Sequence, residues 1–352
     1  MEPAPLGADE ARTATRRAVW SILLLLGAIL LVTVALSQTE LGAATVADLR
    51  ARAHPLGLLG AFGLISLAFV CMAMRWRSLL PAARGAPVLS VSAILCAGLL
   101  LNYALPGPVG EVAAAWFLAR RQNIPVADAL AAGITGRVIG LCTAAVAALG
   151  VWLLTDLPVP PALDEAVTLA ALITGGGGLG LALFAARPAP FLAVAGVVLR
   201  PVRRLPRAAR LADGLERGLG AVATAFGQTA QAGWGAWLRA IGWSVAGHSC
   251  VVAGICAGAA SVDAAAHLGG AIFAYAASTA AVVVLFAIPG SQVAWDGLFT
   301  GLLVATAGLA LPDALVVGLL VRVQQLFFML LGGVTVFVLL RPPGTGTSRL
   351  SP

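Results

Sequence analysis

Residues 127–138 read ADALAAGITGRV, and residues 312–323 read PDALVVGLLVRV. Laid over each other at one offset (313 − 128 = 185), Asp128 meets Asp313, Gly133 meets Gly318 and Arg137 meets Arg322. The same offset carries Glu111 onto Asp296. Matches of alanine, leucine or glycine weigh little in an apolar chain. Charged matches weigh more, because charge is scarce here. Hydrophobic residues make up 60% of the 352 and charged residues 11%, against about a quarter charged in a soluble domain. The pair reads as an internal repeat.

So little charge leaves too few polar groups for a water-facing surface, and much of the surface must face hydrocarbon. No long polar stretch exists to build a soluble domain. The chain reads as one membrane domain over 18–340, with cytoplasmic tails at 1–17 and 341–352. The net charge is +7, all of its basic residues being arginine. These arginines flank apolar segments, where they set topology, so nucleic acid is not the expected partner. The five cysteines (Cys71, Cys96, Cys142, Cys250, Cys256) lie inside apolar stretches. They have neither metal-ligand nor disulfide spacing, and no metal or cofactor is expected. Arg12, Arg16 and Arg17 precede the apolar run Ala18–Leu36, which exceeds a signal-peptide core and reads as an uncleaved first span.

A helix needs about 20 apolar residues to cross a bilayer. Spans are predicted at Ala18–Leu36, Leu56–Met74, Ala127–Leu154, Ala166–Ala186, Trp237–Ala257 and Leu315–Leu340. Two regions do not fit simply. Val88–Leu105 runs into Pro106-Gly107-Pro108-Val109-Gly110 and then a short stretch to Arg121. Leu268–Ala287 runs into Pro289-Gly290 and then a short stretch to Ala310. An apolar run, a Pro/Gly break and a second short run suggest a re-entrant or broken helix, tolerated at membrane depth only where protein or a wet cavity covers it. The expected fold is therefore all-α and polytopic: six full spans plus two such hairpins, with repeat units around 88–154 and 268–340.

With the N-terminus inside, Arg75, Arg77, Arg84, Arg120, Arg121, the cluster from Arg187 to Arg239, and Arg341 fall on the cytoplasmic side. The outer segments hold only Arg50 and Arg52, with Glu40, Asp48, Asp156, Asp164, Glu165 and Asp263. This obeys the positive-inside rule and predicts a cytoplasmic-membrane protein with both termini inside. The basic segment 187–235 interleaves Arg200, Arg203, Arg204, Arg207 and Arg210 with apolar residues. It reads either as a topology anchor or as a contact for anionic lipid.

In this topology the two copies run in opposite directions, an inverted repeat of the kind that builds many secondary transporters. At ~1.5 Å per residue, Arg137 and Arg322 lie roughly 13 Å beyond Asp128 and Asp313, near the midplane from either side. Glu111 and Asp296 follow the two breaks. Four ionisable residues therefore converge on one depth, where charges usually face the bundle interior, pair and mark a pathway. The alternatives are two structural salt bridges, or Glu111 acting only as a helix-start acid. Backbone N–H groups at a helix start suit a phosphate-like anion, which brings Gly107 and Gly110 into the candidate site. Trp116 and Trp295 flank the two breaks.

These residues carry a resemblance. Arg75-Trp76, Asn102 with Pro106-Gly107-Pro108-Val109-Gly110-Glu111, Arg120, Arg137, Pro289-Gly290 and Arg322 resemble the lysylphosphatidylglycerol synthase transmembrane-region family. That family includes the flippase half of the bacterial multiple peptide resistance factor. The chain departs from it in reading Gly136-Arg137-Val138-Ile139-Gly140 where the family often has Glu-Arg-x-x-Asp. The resemblance implies flipping of a lipid or lipid-linked anion between leaflets. Arg137 and Arg322 would hold the headgroup, Glu111 and Asp296 would balance them, and Asn102, Gly107 and Gly110 would donate or accept hydrogen bonds. Arg75, Arg120, Asp128, Asp313, Trp116 and Trp295 are secondary candidates. Membrane lipids, above all an anionic headgroup, are the expected partners, and a homo-oligomer stays open. A transporter of a small anionic or amphiphilic solute fits the same repeat, as does an accessory subunit of a membrane-bound transferase. No enzyme is expected: His54, His248 and His267 are scattered and form no catalytic or metal spacing.

Overall fold

The computed structural model describes residues 47–48, 50–80, 86–104, 109–203, 213, 216–217, 219–220, 223–224, 227, 229, 233–285 and 291–340. The expected first span, both tails, Gly107, the breaks around Pro106–Pro108 and Pro289–Gly290, and Arg204, Arg207 and Arg210 lie outside these residues. Within them the helices are α1 (Pro55–Leu79), α2 (Val88–Ala104), α3 (Val109–Gln122), α4 (Val126–Leu154), α5 (Asp164–Ala186), α6 (Pro188–Arg203), α7 (Trp234–Ala260), α8 (Leu268–Leu285), α9 (Ser291–Ala307) and α10 (Leu311–Leu340). No strand occurs among the described residues. Four helices, α1, α4, α7 and α10, are long and apolar enough to cross a membrane. Each coincides with an expected span, as does α5.

The lengths repeat. Helices of 25, 17, 14 and 29 residues (α1–α4) are followed, after α5 and α6, by helices of 27, 18, 17 and 30 (α7–α10). The packing repeats as well. α1 packs on α7, α2 on α10 and α8 on α4, and the helices of each hairpin, α2 with α3 and α8 with α9, pack on each other. Exchanging the two sets of four returns the same list of contacts.

Small residues set the closest approach. A Cβ at Gly254 would overlap the Ile65 side chain and lie 3.0 Å from the Ala61 carbonyl oxygen. One at Gly247 would lie 3.3 Å from the Cys71 side chain, and one at Gly57 would crowd Ser261. Glycines at such contacts let helix backbones meet where no hydrophobic gain drives association. The pairing Gly57–Ser261, Ile65–Gly254, Cys71–Gly247 and Arg75–Ser244 descends on one helix as it ascends on the other. Helices α1 and α7 are therefore antiparallel. The glycine run on α5 packs within the chain: Gly175 meets Leu149, and a Cβ at Gly178 would overlap Ala145 on α4.

The two hairpins sit at opposite ends of this pair. The first joins the C-terminal end of α1 and the start of α4 in a core holding Trp76, Ile94, Leu118 and Ala129. The second joins the C-terminal end of α7 and the start of α10 in a core holding Ile255, Phe273, Phe299 and Val317. Arg77, Arg120, Arg121 and Arg239 mark the first end, with Asp128. Asp156, Asp164, Glu165, Asp263 and Asp313 mark the second, where Arg52 bonds Asp48 at 2.6 Å and Asp313 at 3.1 Å. The hydrogen bonds that Arg52 donates to these two acids, Asp48 first, raise its pKa.

Gly254→Leu is expected to lower stability by about 1–3 kcal/mol through overpacking of α1 against α7. Thermal unfolding in detergent reads this directly. Gly242→Leu, whose α-carbon faces open space, serves as control, and equal midpoints for the two would contradict the packing account.

Candidate functional site

The first hairpin closes on a polar joint. Asn102, in the last turn of α2, accepts a hydrogen bond from the Gly110 N–H at 2.8 Å. Its amide also donates to Glu111 Oε1 at 2.8 Å. One side chain thus satisfies an N–H that the start of α3 would leave orphaned and fixes the first acid of that helix. The backbones touch here: a Cβ at Gly110 would overlap the Gly98 carbonyl oxygen, and one at Gly98 would lie 2.9 Å from the Ala114 side chain.

Glu111 also accepts from Arg137 of α4 in a short ion pair. The pair is only partly desolvated, with 26% of the Glu111 side chain and 47% of the Arg137 side chain exposed. It borders a cavity of about 110 Å³ between α1, α2, α3 and α4. Arg75, Asn102, Gly110, Glu111 and Arg137 line its polar side, and Phe69, Met72, Leu95, Leu99 and Ile134 are among its apolar lining. Arg75 was expected in a cytoplasmic loop after a span ending at Met74. Instead α1 continues to Leu79, because Trp76 is buried and donates from its indole N–H to the Ala129 carbonyl at 3.0 Å. Arg75 is thereby held in the helix, facing the cavity.

The equivalent charges of the second half form their own pair. Arg322 Nε donates to Asp296 at 2.6 Å, and a second nitrogen bonds the Gln325 side chain. The guanidinium lies 5.0 Å over the Trp295 ring, which stacks on Phe299. The four charges expected at one site are thus two pairs, one in each half. Asp296 and Arg322 are not among the residues lining the cavity.

The secondary candidates spread. Trp116 is exposed on α3 and carries the Arg120 guanidinium 5.2 Å over its ring, away from the cavity lining. Asp128 is half-buried in the first turn of α4. Asp313 is buried and held by Arg52. The sequence marks His248, near Ser244 in an apolar span, as a packed, hydrogen-bonded histidine outside the site; it does not show that these α7 residues reach α1 and α4. Ser244 Oγ accepts from Arg75 at 3.0 Å. His248, one turn on, bonds the Gly140 carbonyl at 2.9 Å, Thr143 at 3.1 Å and the Tyr275 hydroxyl at 3.2 Å. The four-residue spacing of Ser244 and His248 on an apolar helix was the available signal.

A family model described as the lysylphosphatidylglycerol synthase transmembrane region matches residues 19–333. The chain belongs to that family, and with its long apolar helices it is a multi-pass integral membrane protein. No curated protein and no solved structure matches it.

Asn102→Ala removes both hydrogen bonds at the hairpin joint. The expected loss is about 1–3 kcal/mol, chiefly for the Gly110 N–H left unpaired, measured as a lower thermal midpoint in detergent. A midpoint equal to that of the unaltered protein would show that the hairpin does not depend on this residue.

Proposed function

We propose that this family member is a translocase that moves a phospholipid or lipid-linked anion between the leaflets of the cytoplasmic membrane. The observation that carries the reading is the cavity itself, which combines arginines and a helix start on one side with an apolar wall on the other. Guanidinium groups and backbone N–H groups suit a phosphate oxygen, and apolar walls suit the first methylenes of a lipid chain. The headgroup would enter the cavity while the acyl chains stay in the bilayer.

The antiparallel pairing of α1 with α7 and the exchangeable contacts support an inverted repeat, with its two-fold axis in the membrane plane. The two hairpins would then enter from opposite faces, and the Asp296–Arg322 pair would be the counterpart of Glu111–Arg137 on the other side. The arginines around the first hairpin support a cytoplasmic position for that end. The acids around the second support an outer position. Glu111 keeps Arg137 compensated when no substrate is bound, which lowers the cost of holding that cation at depth.

Two measurements test this. In vesicles containing the purified protein, fluorescent anionic phospholipid should exchange between leaflets, and Arg137→Glu should abolish the exchange while the protein still inserts. Exchange unchanged by Arg137→Glu would contradict the reading. For sidedness, Arg120→Cys and Asp156→Cys are placed singly in a chain freed of its five cysteines. An impermeant maleimide outside intact cells should label Asp156→Cys, and Arg120→Cys only after permeabilisation. Labelling of both from outside would contradict the topology.

A further inference from the structure

Of Arg75, Arg137 and Arg322, two are already met by acid. Arg137 has Glu111. Arg322 has Asp296, Gln325 and the face of Trp295. Arg75 differs. Among the described residues no carboxylate pairs with it, and its hydrogen-bond partner is the neutral Ser244 hydroxyl at 3.0 Å. A guanidinium carries five N–H donors in a planar fork, so one neutral oxygen leaves most of them for another partner.

The opposite wall is shaped to receive this side chain without neutralising it. Arg75 lies along α4 at Gly136 and Gly140: a Cβ at Gly140 would overlap the guanidinium, and one at Gly136 would lie 3.6 Å from Nε. Gly140 gives the arginine room, and neither glycine offers it a charge. The cavity therefore carries Arg75 and Arg137 against Glu111 alone, a net charge of +1 (2 − 1) from its charged lining residues. Glu111 is committed twice, to Arg137 and to Asn102. No acid of the cavity lining is left for a cationic substituent.

We propose that Arg75 is the anion-holding residue of the cavity, and that the ligand's polar part is a compact phosphate-type monoanion without a cationic group. The inference rests on the reading of this cavity as the transport site and names its substrate class. An uncompensated cation at this depth disfavours the empty state, and one negative charge restores balance. The cavity of about 110 Å³ is several times the roughly 10–15 Å³ that a single water requires. That room suits one phosphate ester, with the attached chains running out past Phe69, Met72 and Leu99. A lipid phosphodiester and free phosphate share this chemistry, and the experiment separates them.

Isothermal titration calorimetry in detergent uses dihexanoyl phosphatidylglycerol, dihexanoyl phosphatidylcholine and inorganic phosphate as probes. The proteins are wild type, Arg75→Gln, Arg75→Lys and Arg239→Gln. Wild type should bind the glycerol lipid well above the choline lipid. Arg75→Gln should weaken that binding by about thirtyfold or more, as expected when one partner of a desolvated charged contact is removed. Arg75→Lys should retain most of it, and Arg239→Gln, at an exposed arginine outside the cavity lining, should bind as wild type. Arg75→Gln should also melt no lower than wild type, because it removes an uncompensated charge. A structural arginine would show the opposite.

Unchanged lipid affinity in Arg75→Gln overturns the proposal, as does an equal loss in Arg239→Gln or equal affinity for the choline lipid. Phosphate binding that is lost in Arg75→Gln, without lipid binding, keeps Arg75 as the anion holder and sinks the lipid reading. Leaflet exchange that persists in Arg75→Gln, with lipid affinity intact, does the reverse.

Discussion

A guanidinium inside an apolar helix bundle must be met, and the structure is arranged around how each one is met. Glu111 meets Arg137. To be in place it must stand at the start of α3, which Asn102 fixes from the end of α2. That joint in turn requires Gly98 and Gly110 to bring the two backbones together. Break the ion pair and the hairpin loses its reason for closing where it does. Asp296 and Arg322 repeat the solution with different support, an aromatic face and an amide in place of the asparagine bridge. Neither pair alone explains a transport site. The cation that neither pair neutralises, Arg75, gives the cavity its sign.

The scaffold that holds these charges is made of close contacts between small residues. Helices α1 and α7 meet through Gly247, Gly254 and Gly57, and this antiparallel pair fixes where the two hairpins fall. Because the hairpins lie at opposite ends, the two ion pairs belong to opposite halves. The polar residues of α7 tie this scaffold to the cavity: Ser244 touches Arg75, and His248 joins α4 to Tyr275 on α8.

Much of this was legible in the sequence. In a chain so poor in charge, two acids and two arginines at one offset stood out, and they became two ion pairs. The Pro/Gly breaks separated short helices that do pack as hairpins, because a stretch that cannot continue a helix still has to bury both its apolar arms. The membrane class followed from composition alone. What was not legible depends on tertiary contact. Arg75 read as a loop residue because the apolar run ends at Met74. The helix continues because buried Trp76 finds a carbonyl on α4, a partner 53 residues away that no local pattern announces. The convergence of all four charges at one cavity was an inference from depth, and depth does not fix the direction in which a side chain points. Gly136 and Gly140 looked like mere losses of acid until the structure laid Arg75 along them.

If the cavity between α1 and α4 holds the phosphate of an anionic lipid, that lipid should leave the membrane with the protein. Native mass spectrometry of the protein released from its own membranes, with bound lipids identified by fragmentation, tests this most directly. The comparison is between wild type and an Arg75→Gln/Arg137→Gln double variant. One anionic phospholipid or lipid-linked phosphate should be retained per chain in the wild type and lost in the variant. The same lipid retained equally by both would contradict it.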